Sequence, residues 1–512
     1  KTTRGLTKWK EVEDDEGETR YINMDVPKFE YPDFNPGSWQ HLYALLYDVM
    51  RLPMVKEERN RHGYEFVRSS DQETCQKLGQ ITYTEDDEEG LRVIRDGILQ
   101  WKFADTMITK YAVPFSDYVF NLGDAATLHS SRFEKHPDPW RLHATLNQNG
   151  TVTGRLSASE PPLHGTPWKS LIKENFIPDW GEDGLFIHGD YSQMELRVLA
   201  LLSRDEGYLS IFSTNPTGHF AQFKGDIHRF VASQVYGVSA ADVTEDQRRA
   251  AKAVSFGIIY GASAKKMADD NDMSVAEAQK ILDDYYELFP NVAKWMEKMQ
   301  KEARKQGYLI SPNNRLLTLE GIHTDPTDPR AKQLIAEAER CAVNYPIQGS
   351  ASDICSLASA FLHYRFRKKK MKTRSFVLVH DANDMNCYVP ELLDVLVDAK
   401  KVMSRWPMKR FDWVDIPMKV DFEIGPDWRN MMECEYDLKT GVMELKGDVS
   451  GWPTIKRRLK RHYKLTNLKT TKKKVVKSLL ESVPSGIPQG LSLTKILPTH
   501  TQVTKTFNIA PK

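Results

Sequence analysis

Trp39, Leu42, Leu45 and Leu46 fall at helical spacing and open a stretch from Pro36 to about Ala112 that reads as helical. Within it a second helical pattern runs from Glu88 through Lys110, after the acidic turn Glu85 to Glu89, whose acids read as a solvated helix start rather than a metal site. From Arg141 to Gln193 short β-like runs alternate with Gly and Pro turns. They end in Leu185-Phe186-Ile187-His188-Gly189-Asp190, an apolar strand that runs into a carboxylate. Residues 204 to 335 are mainly helical in pattern, and a further helical pattern covers Glu339 to Leu357. Ser375-Phe376-Val377-Leu378-Val379-His380-Asp381 is then a second apolar strand ending in an acid, and the body closes near Trp428. Beyond Gly451 the sequence turns basic, then rich in Ser, Thr and Pro, which predicts partial disorder. Residues 1–33 are polar, with an acidic run from Glu11 to Glu18, and read as a connecting segment.

The run Arg248-Arg249-Ala250-Ala251-Lys252-Ala253-Val254-Ser255-Phe256-Gly257-Ile258-Ile259-Tyr260-Gly261 repeats its cations and aromatics every four residues. At about 100° per residue each step drifts by about 40°, so residues 248, 252, 256 and 260 share a stripe roughly 120° wide. Two readings stand: an amphipathic helix whose aromatics pack in a core, or a face on which Arg248 and Lys252 take a polyphosphate while Phe256 and Tyr260 meet sugar and base. Asp190 and Asp381 each close an apolar strand. Singly each can be a turn residue, but on adjacent strand ends the pair suits two magnesium ions about 3.5 to 4 Å apart, one activating an attacking hydroxyl and one neutralising a leaving pyrophosphate.

With 512 residues, 40% of them hydrophobic, the chain can bury a large core in three or four structural units. Its five cysteines are scattered without a C-x-x-C, which excludes a disulfide framework and a zinc module and fits a reducing, intracellular setting, cytoplasm or nucleoid, with an organellar or viral origin left open. No run of 18 apolar residues and no signal core occur, so no membrane partner is expected. The start at Lys1 suggests a fragment or a processed product. The absence of G-x-x-x-x-G-K-[ST] argues against a P-loop motor. The net charge of +1 conceals a segregation: residues 451–512 hold fourteen Lys and Arg against one acid, Glu481, while the rest holds 57 basic and 69 acidic side chains. The tail clusters Lys456-Arg457-Arg458-Leu459-Lys460-Arg461 and Lys472-Lys473-Lys474, interleaved with Trp452 and Tyr463, read as a flexible basic extension, as a DNA contact or as a site for a protein partner.

Asp190-Tyr191-Ser192-Gln193-Met194-Glu195-Leu196-Arg197 closely resembles the first palm motif of the family A DNA polymerases. The Arg248–Gly261 run is similar to that family's fingers helix, with Ser255 where asparagine is usual, and Val379-His380-Asp381 to its second palm motif. Thr153-Gly154-Arg155-Leu156-Ser157, Gly225-Asp226-Ile227-His228-Arg229 and Glu339-Arg340-Cys341-Ala342-Val343-Asn344-Tyr345-Pro346-Ile347-Gln348-Gly349 agree in order, so the resemblance spans roughly residues 34 to 430. It implies an α+β right-hand polymerase fold: an α-helical thumb over 34–140, an antiparallel-sheet palm over 141–204 and 336–433, α-helical fingers over 205–335, and a basic extension over 434–512.

The resemblance further implies primer-template DNA and deoxynucleoside triphosphates as partners, and two Mg²⁺ ions, replaceable by Mn²⁺, held by Asp190, Asp381 and the Tyr191 carbonyl. Gln193, His228, Arg248 and Lys252 would surround the triphosphate, with Lys252 also the proton donor to pyrophosphate. Glu195 would be the steric gate against ribonucleotides. Phe256 would pack on the incoming sugar, its lack of a hydroxyl implying discrimination against dideoxynucleotides, and Tyr260 would stack at the template position. Arg155, Gln348 and His380 would contact the primer terminus and minor groove, whose acceptors are common to all base pairs. A proofreading exonuclease lies upstream in this family and needs a domain's length, so none is expected in this chain.

Three departures stand out. Ala382 replaces the glutamate of H-D-E, Pro161-Pro162-Leu163-His164-Gly165-Thr166-Pro167 replaces P-N-L-Q-N-I-P, and Lys173 stands where arginine is typical. They leave two competitors in view, a single-subunit RNA polymerase and a catalytically weakened nucleic-acid-binding protein. Glu195 and the T-G-R-L-S segment argue against the first, and both aspartates and the fingers cations against the second.

Overall fold

Along Gly184–Tyr191, Leu185, Ile187 and Tyr191 point to one face and Phe186, His188 and Asp190 to the other, and the larger part of the molecule is organised around this strand. The protein is described by a computed structural model over residues 9–13, 19–23, 35–60, 63–67, 69–79, 92–120, 142, 144–167, 170–213, 218–223, 225–270, 274–437, 439–447, 450–471 and 504–511. It divides into two units, Lys1–His143 and Ala144–Lys512.

In the second unit Gly184–Tyr191 lies third in an antiparallel sheet of eight strands, ordered Arg374–Val379, Ala382–Tyr388, Gly184–Tyr191, Val420–Gly425, Met432–Asp437, Val442–Lys446, Thr504–Pro511 and Tyr463–Thr471. Register sets Ala382 opposite Asp190 on one neighbour and Asp421 opposite it on the other. Leu185, Ile187 and Tyr191 enter a core shared with the helices Met194–Ser203, Ile227–Tyr236, Glu245–Ile259, Val275–Leu288 and Ala331–Lys368, so sheet and helices form one continuous body. On the opposite face Phe186 packs with Val377, Trp428 and Met431 at one end of the strand, and Asp190 is left solvent-accessible at the other.

The Ala331–Lys368 helix has 38 residues, about 57 Å at 1.5 Å per residue, and outruns the expected Glu339–Leu357 at both ends. Its middle, from Ala342 to Ser352, is buried on most sides and therefore lacks the one-sided apolar stripe that marks a helix in sequence.

The body does not close near Trp428. Met432, Cys434, Met443 and Leu445 are buried at period two, and the charges between them, Glu433, Glu435 and Glu444, had hidden these strands. Past Gly451 the expected disorder gives way to a helix, Trp452–His462, and two sheet strands; residues 472–503 lie outside the described residues. Trp452, Ile455 and Leu459 bury one side of that helix. Arg457 holds Glu182 at 2.7 and 2.8 Å, His462 meets Asp183 at 2.8 Å, and Arg458 donates to the Gly184 carbonyl at 2.7 Å. The basic cluster is thus a clamp on the Gly184 end of the central strand.

In the first unit, Leu42, Leu46, Tyr47, Cys75, Leu78, Ile94 and Ile98 form a small core between a helix beginning at Trp39, the Gln72–Leu78 helix and a helical run from Val93 to Phe120. Hairpins Trp9–Glu13/Thr19–Asn23 and Lys56–Asn60/Gly63–Val67 interrupt stretches read as connecting and as helical, and the acidic turn at 85–89 lies outside the described residues. The whole is α+β, as the resemblance implies.

Candidate active site

The two apolar strands that end in acids are brought together through Ala382–Tyr388, which pairs with both. His380 and Asp381 form the turn between Val379 and Ala382, His380 taking φ +53°, and the Tyr191 amide donates to the Asp381 carbonyl at 3.4 Å. The carboxyl-bearing ends of the strands therefore sit side by side. Asp190 is open to solvent yet walled by protein, and its carboxyl is pushed up to about 6, first by burial and then by the neighbouring Asp381, Asp421 and Asp384, against the opposing pull of His188. Burial also raises Asp381, with Arg155 opposing.

Arg155 bridges the acids. Its Nη2 lies 2.6 Å from Glu195 Oε1 and 3.4 Å from Asp381 Oδ1. The loop that carries it turns at Gly154, φ +73°, where a Cβ would fall 2.4 Å from the Arg315 guanidinium carbon, so only glycine fits. The Gly349 site packs against the Thr153 carbonyl, which sets the half-buried Gln348 beside this loop. Glu195 lies in the first turn of Met194–Ser203, a helix entered through Gln193 in the left-handed region at φ +55°. Its second oxygen accepts from the Tyr260 hydroxyl at 3.1 Å, so the Tyr260–Glu195–Arg155–Asp381 contacts run unbroken from the end of the Glu245–Ile259 helix to the strand ends.

That helix is capped by Thr244 and Gln247 reciprocally and stops at Tyr260, followed by Gly261 at φ +64°. Arg248, Lys252 and Phe256 face the Ile227–Tyr236 helix: Arg248 Nε lies 2.7 Å from Asp226 Oδ2, the Phe256 ring 5.9 Å from the His228 ring, and Lys252 Nζ 5.9 Å from the Phe256 centroid. His228 is 2% exposed; burial, aided by Arg248 and Lys252, drops its pKa to about 4, so it is neutral at pH 7. The stripe is thus neither wholly core nor wholly free: Phe256 is half-buried, while Lys252 and Tyr260 are exposed.

Other residues complete the site. Asp226 caps its helix through the Arg229 amide and also pins Arg248; an aspartate just before a helix was the available signal. His188 pairs with the buried Asp384 at 2.7 Å directly across the strands, so the acid two residues beyond Ala382 already holds a histidine through one oxygen. The Ser255 hydroxyl bonds the Ala251 carbonyl at 2.8 Å and satisfies itself within a fully buried position. Lys173 is buried with its Nζ 4.1 Å over the Trp428 ring, a cation–π contact that needs no arginine fork.

The sequence matches the profile of DNA polymerase family A over residues 13–430. DNA polymerase I of Caldicellulosiruptor bescii is 31% identical over 399 residues, 77% of this chain and 41% of the relative. The thermostable DNA polymerase I of Thermus aquaticus is 31% identical over 420 residues, 80% of this chain and 44% of the relative, so the chain spans less than half the length of the curated relatives it matches. The solved POL domain of Pol1 from M. smegmatis, in complex with DNA primer-template and dNTP, superposes with a TM-score of 0.61 at 27% identity, over 77% of this chain and 61% of that one. Motifs that stand at paired strand ends and on one helix face, within a profile match across most of the sequence, place the chain in DNA polymerase family A.

Proposed function

We propose that the chain is a template-directed DNA polymerase that adds deoxynucleoside monophosphates to a primer 3′-OH and releases pyrophosphate. The Tyr260–Glu195–Arg155–Asp381 chain of contacts carries the reading, because it joins a cationic, aromatic helix face to a pair of strand-end carboxylates. The DNA polymerase I relatives, and a structural neighbour that holds primer-template and dNTP, support it. The layout follows as thumb 34–140, palm 141–204 and 336–433, and fingers 205–335, with the extension bracing the palm.

A divalent cation, Mg²⁺ or Mn²⁺, fits the strand ends. Asp190 and Asp381 are both raised, first by burial, and Asp190 makes no ion pair among the described residues, so a cation there would stabilise the ionised carboxylates. Asp190, Asp381 and the Tyr191 carbonyl would hold it, and when bound it supplies the charge that acidifies the primer hydroxyl and offsets the leaving pyrophosphate.

The chain's own residues do the rest. Arg248, with Nε fixed on Asp226, keeps its outer nitrogens for the triphosphate, and Lys252 delivers a proton to the departing pyrophosphate. Gln193 would offer its amide N–H and His228 a ring N–H to the triphosphate; Gln193 Oε1 and His228 Nδ1 are buried with no partner among the described residues. Glu195, held from both sides, fills the space a 2′-OH needs; Phe256 packs on the sugar; Tyr260 occupies the template position until a matching base closes the helix over the site. Arg155, Gln348 and His380 read the minor groove. Primer extension with four dNTPs and Mg²⁺ or Mn²⁺ tests the reading: template-dependent incorporation is expected. Tight primer-template binding without incorporation would select the catalytically weakened binder, and preferential use of ribonucleotides the RNA polymerase.

A further inference from the structure

Twelve cations and no acid occupy two short stretches remote in sequence, His363–Arg374 and Ala399–Arg410. The fold packs them together at the far end of the Ala331–Lys368 helix: Arg365 and Lys369 share the buried Asp398, and the Phe361 and Trp406 rings stack at 4.9 Å and 22°. Tyr364 extends that stack, its ring 6.3 Å from Phe361 at 11°, and is 56% exposed. Around it Arg367, Lys368, Lys370, Lys401, Arg405 and Lys409 are exposed and make no ion pair among the described residues. Cations in a last helical turn complement the helix dipole, which accounts for Arg367 and Lys368. It accounts neither for the cations beyond the helix end nor for an open tyrosine stacked on Phe361, whose ring in turn stacks on Trp406.

We infer that this surface binds single-stranded DNA outside the catalytic cleft. A flat aromatic step offers every base a stacking partner, and the cations around it follow a phosphate backbone; that combination favours an unpaired strand over a duplex, whose bases are already stacked. Tyr364 lies sixteen residues beyond Gln348 on one helix, about 24 Å at 1.5 Å per residue, so the surface is separate from the primer-terminus residues of the proposed polymerase reading. A template or displaced strand held there would stay attached while the cleft opens.

The full chain is first saturated with an unlabelled hairpin primer-template ending in a dideoxynucleotide, plus the matching dNTP, and then titrated with fluorescein-labelled dT20 by anisotropy. Saturable dT20 binding should survive, Tyr364→Ala should weaken it about tenfold, and Tyr364→Phe should leave it within about twofold. Arg405→Glu combined with Lys409→Glu should flatten the dependence of log Kd on log salt by roughly one unit. None of these changes should alter extension of a short primed template. The inference is overturned if dT20 binding disappears once the hairpin is bound, if Tyr364→Ala has no effect, or if duplex DNA or poly-glutamate competes as well as dT20. A parent enzyme that fails to extend primers would sink the polymerase reading alone, since the Tyr364 dependence of dT20 binding still decides this surface.

Discussion

At one end of the Gly184–Tyr191 strand Glu182 and Asp183 meet Arg457, Arg461 and His462; at the other Asp190 meets Asp381, Asp421 and Asp384. The hydrogen bond from Arg457 lowers the Glu182 carboxyl and that from His462 lowers Asp183, whereas Asp190 is pushed up to about 6. The strand thus runs from surface acids held by cations to Asp190, an acid walled by protein that makes no ion pair among the described residues, although Asp381, Asp384 and Asp421 beside it hold Arg155, His188 and Lys419. A paired acid needs no ligand, whereas burial of an unpaired carboxylate costs stability in the free protein, a cost that a bound cation would offset.

The largest effect expected from breaking this contrast is at the open end. Asp190→Asn or Asp381→Asn should lower primer extension about a thousandfold or more while primer-template affinity holds within about threefold; near-normal single-turnover rates would mean that these carboxylates are not catalytic. At the closed end, Ile455→Ala removes a fully buried side chain and should cost about 2 to 4 kcal/mol in denaturant unfolding, with extension per folded molecule unchanged. Removal of residues 451–512 should be worse, because it strips two strands and a helix from the sheet, and loss of soluble protein is expected rather than a simple drop in DNA affinity.

Glu195→Ala frees Tyr260 and Arg155 from their shared acid and should raise ribonucleotide incorporation by about a hundredfold relative to deoxynucleotide. Unchanged selectivity would leave Glu195 a structural acid. A smaller effect follows from the sign of the Asp190 shift. Its carboxyl ionises near 3.8 in the unfolded chain and near 6 in the fold, so the folded state holds the proton more tightly and loses stability as pH rises through 6. With chelator present, Asp190→Asn should therefore be more stable than the parent at pH 8, by on the order of 1 kcal/mol once solvent screening is allowed for, and equal to it below pH 3.8. Parity at pH 8 would remove the argument that burial raises this carboxyl. Smallest of all, Arg457→Ala should leave the melting temperature unchanged, since exposed ion pairs contribute little beside the buried Trp452, Ile455 and Leu459; a large drop would show that charge, not burial, seats the helix.

The amino-acid sequence by itself determined the parts that repeat at short range. Cations and aromatics every four residues marked the Arg248–Tyr260 face, and runs of β-branched and aromatic residues marked the strands that end in Asp190 and Asp381. It also determined the family, through motifs whose spacing is local. What it could not show were partnerships between residues far apart in the chain. Asp384 is taken by His188 from 196 positions away, and Glu182 by Arg457 from 275. A polar side chain looks the same in sequence whether it faces solvent, a ligand or a buried counterion. The basic tail made the same point in reverse: its charge read as solvated and disordered, yet burial of Trp452, Ile455 and Leu459 decides its structure, and only the sheet they pack against makes that burial available.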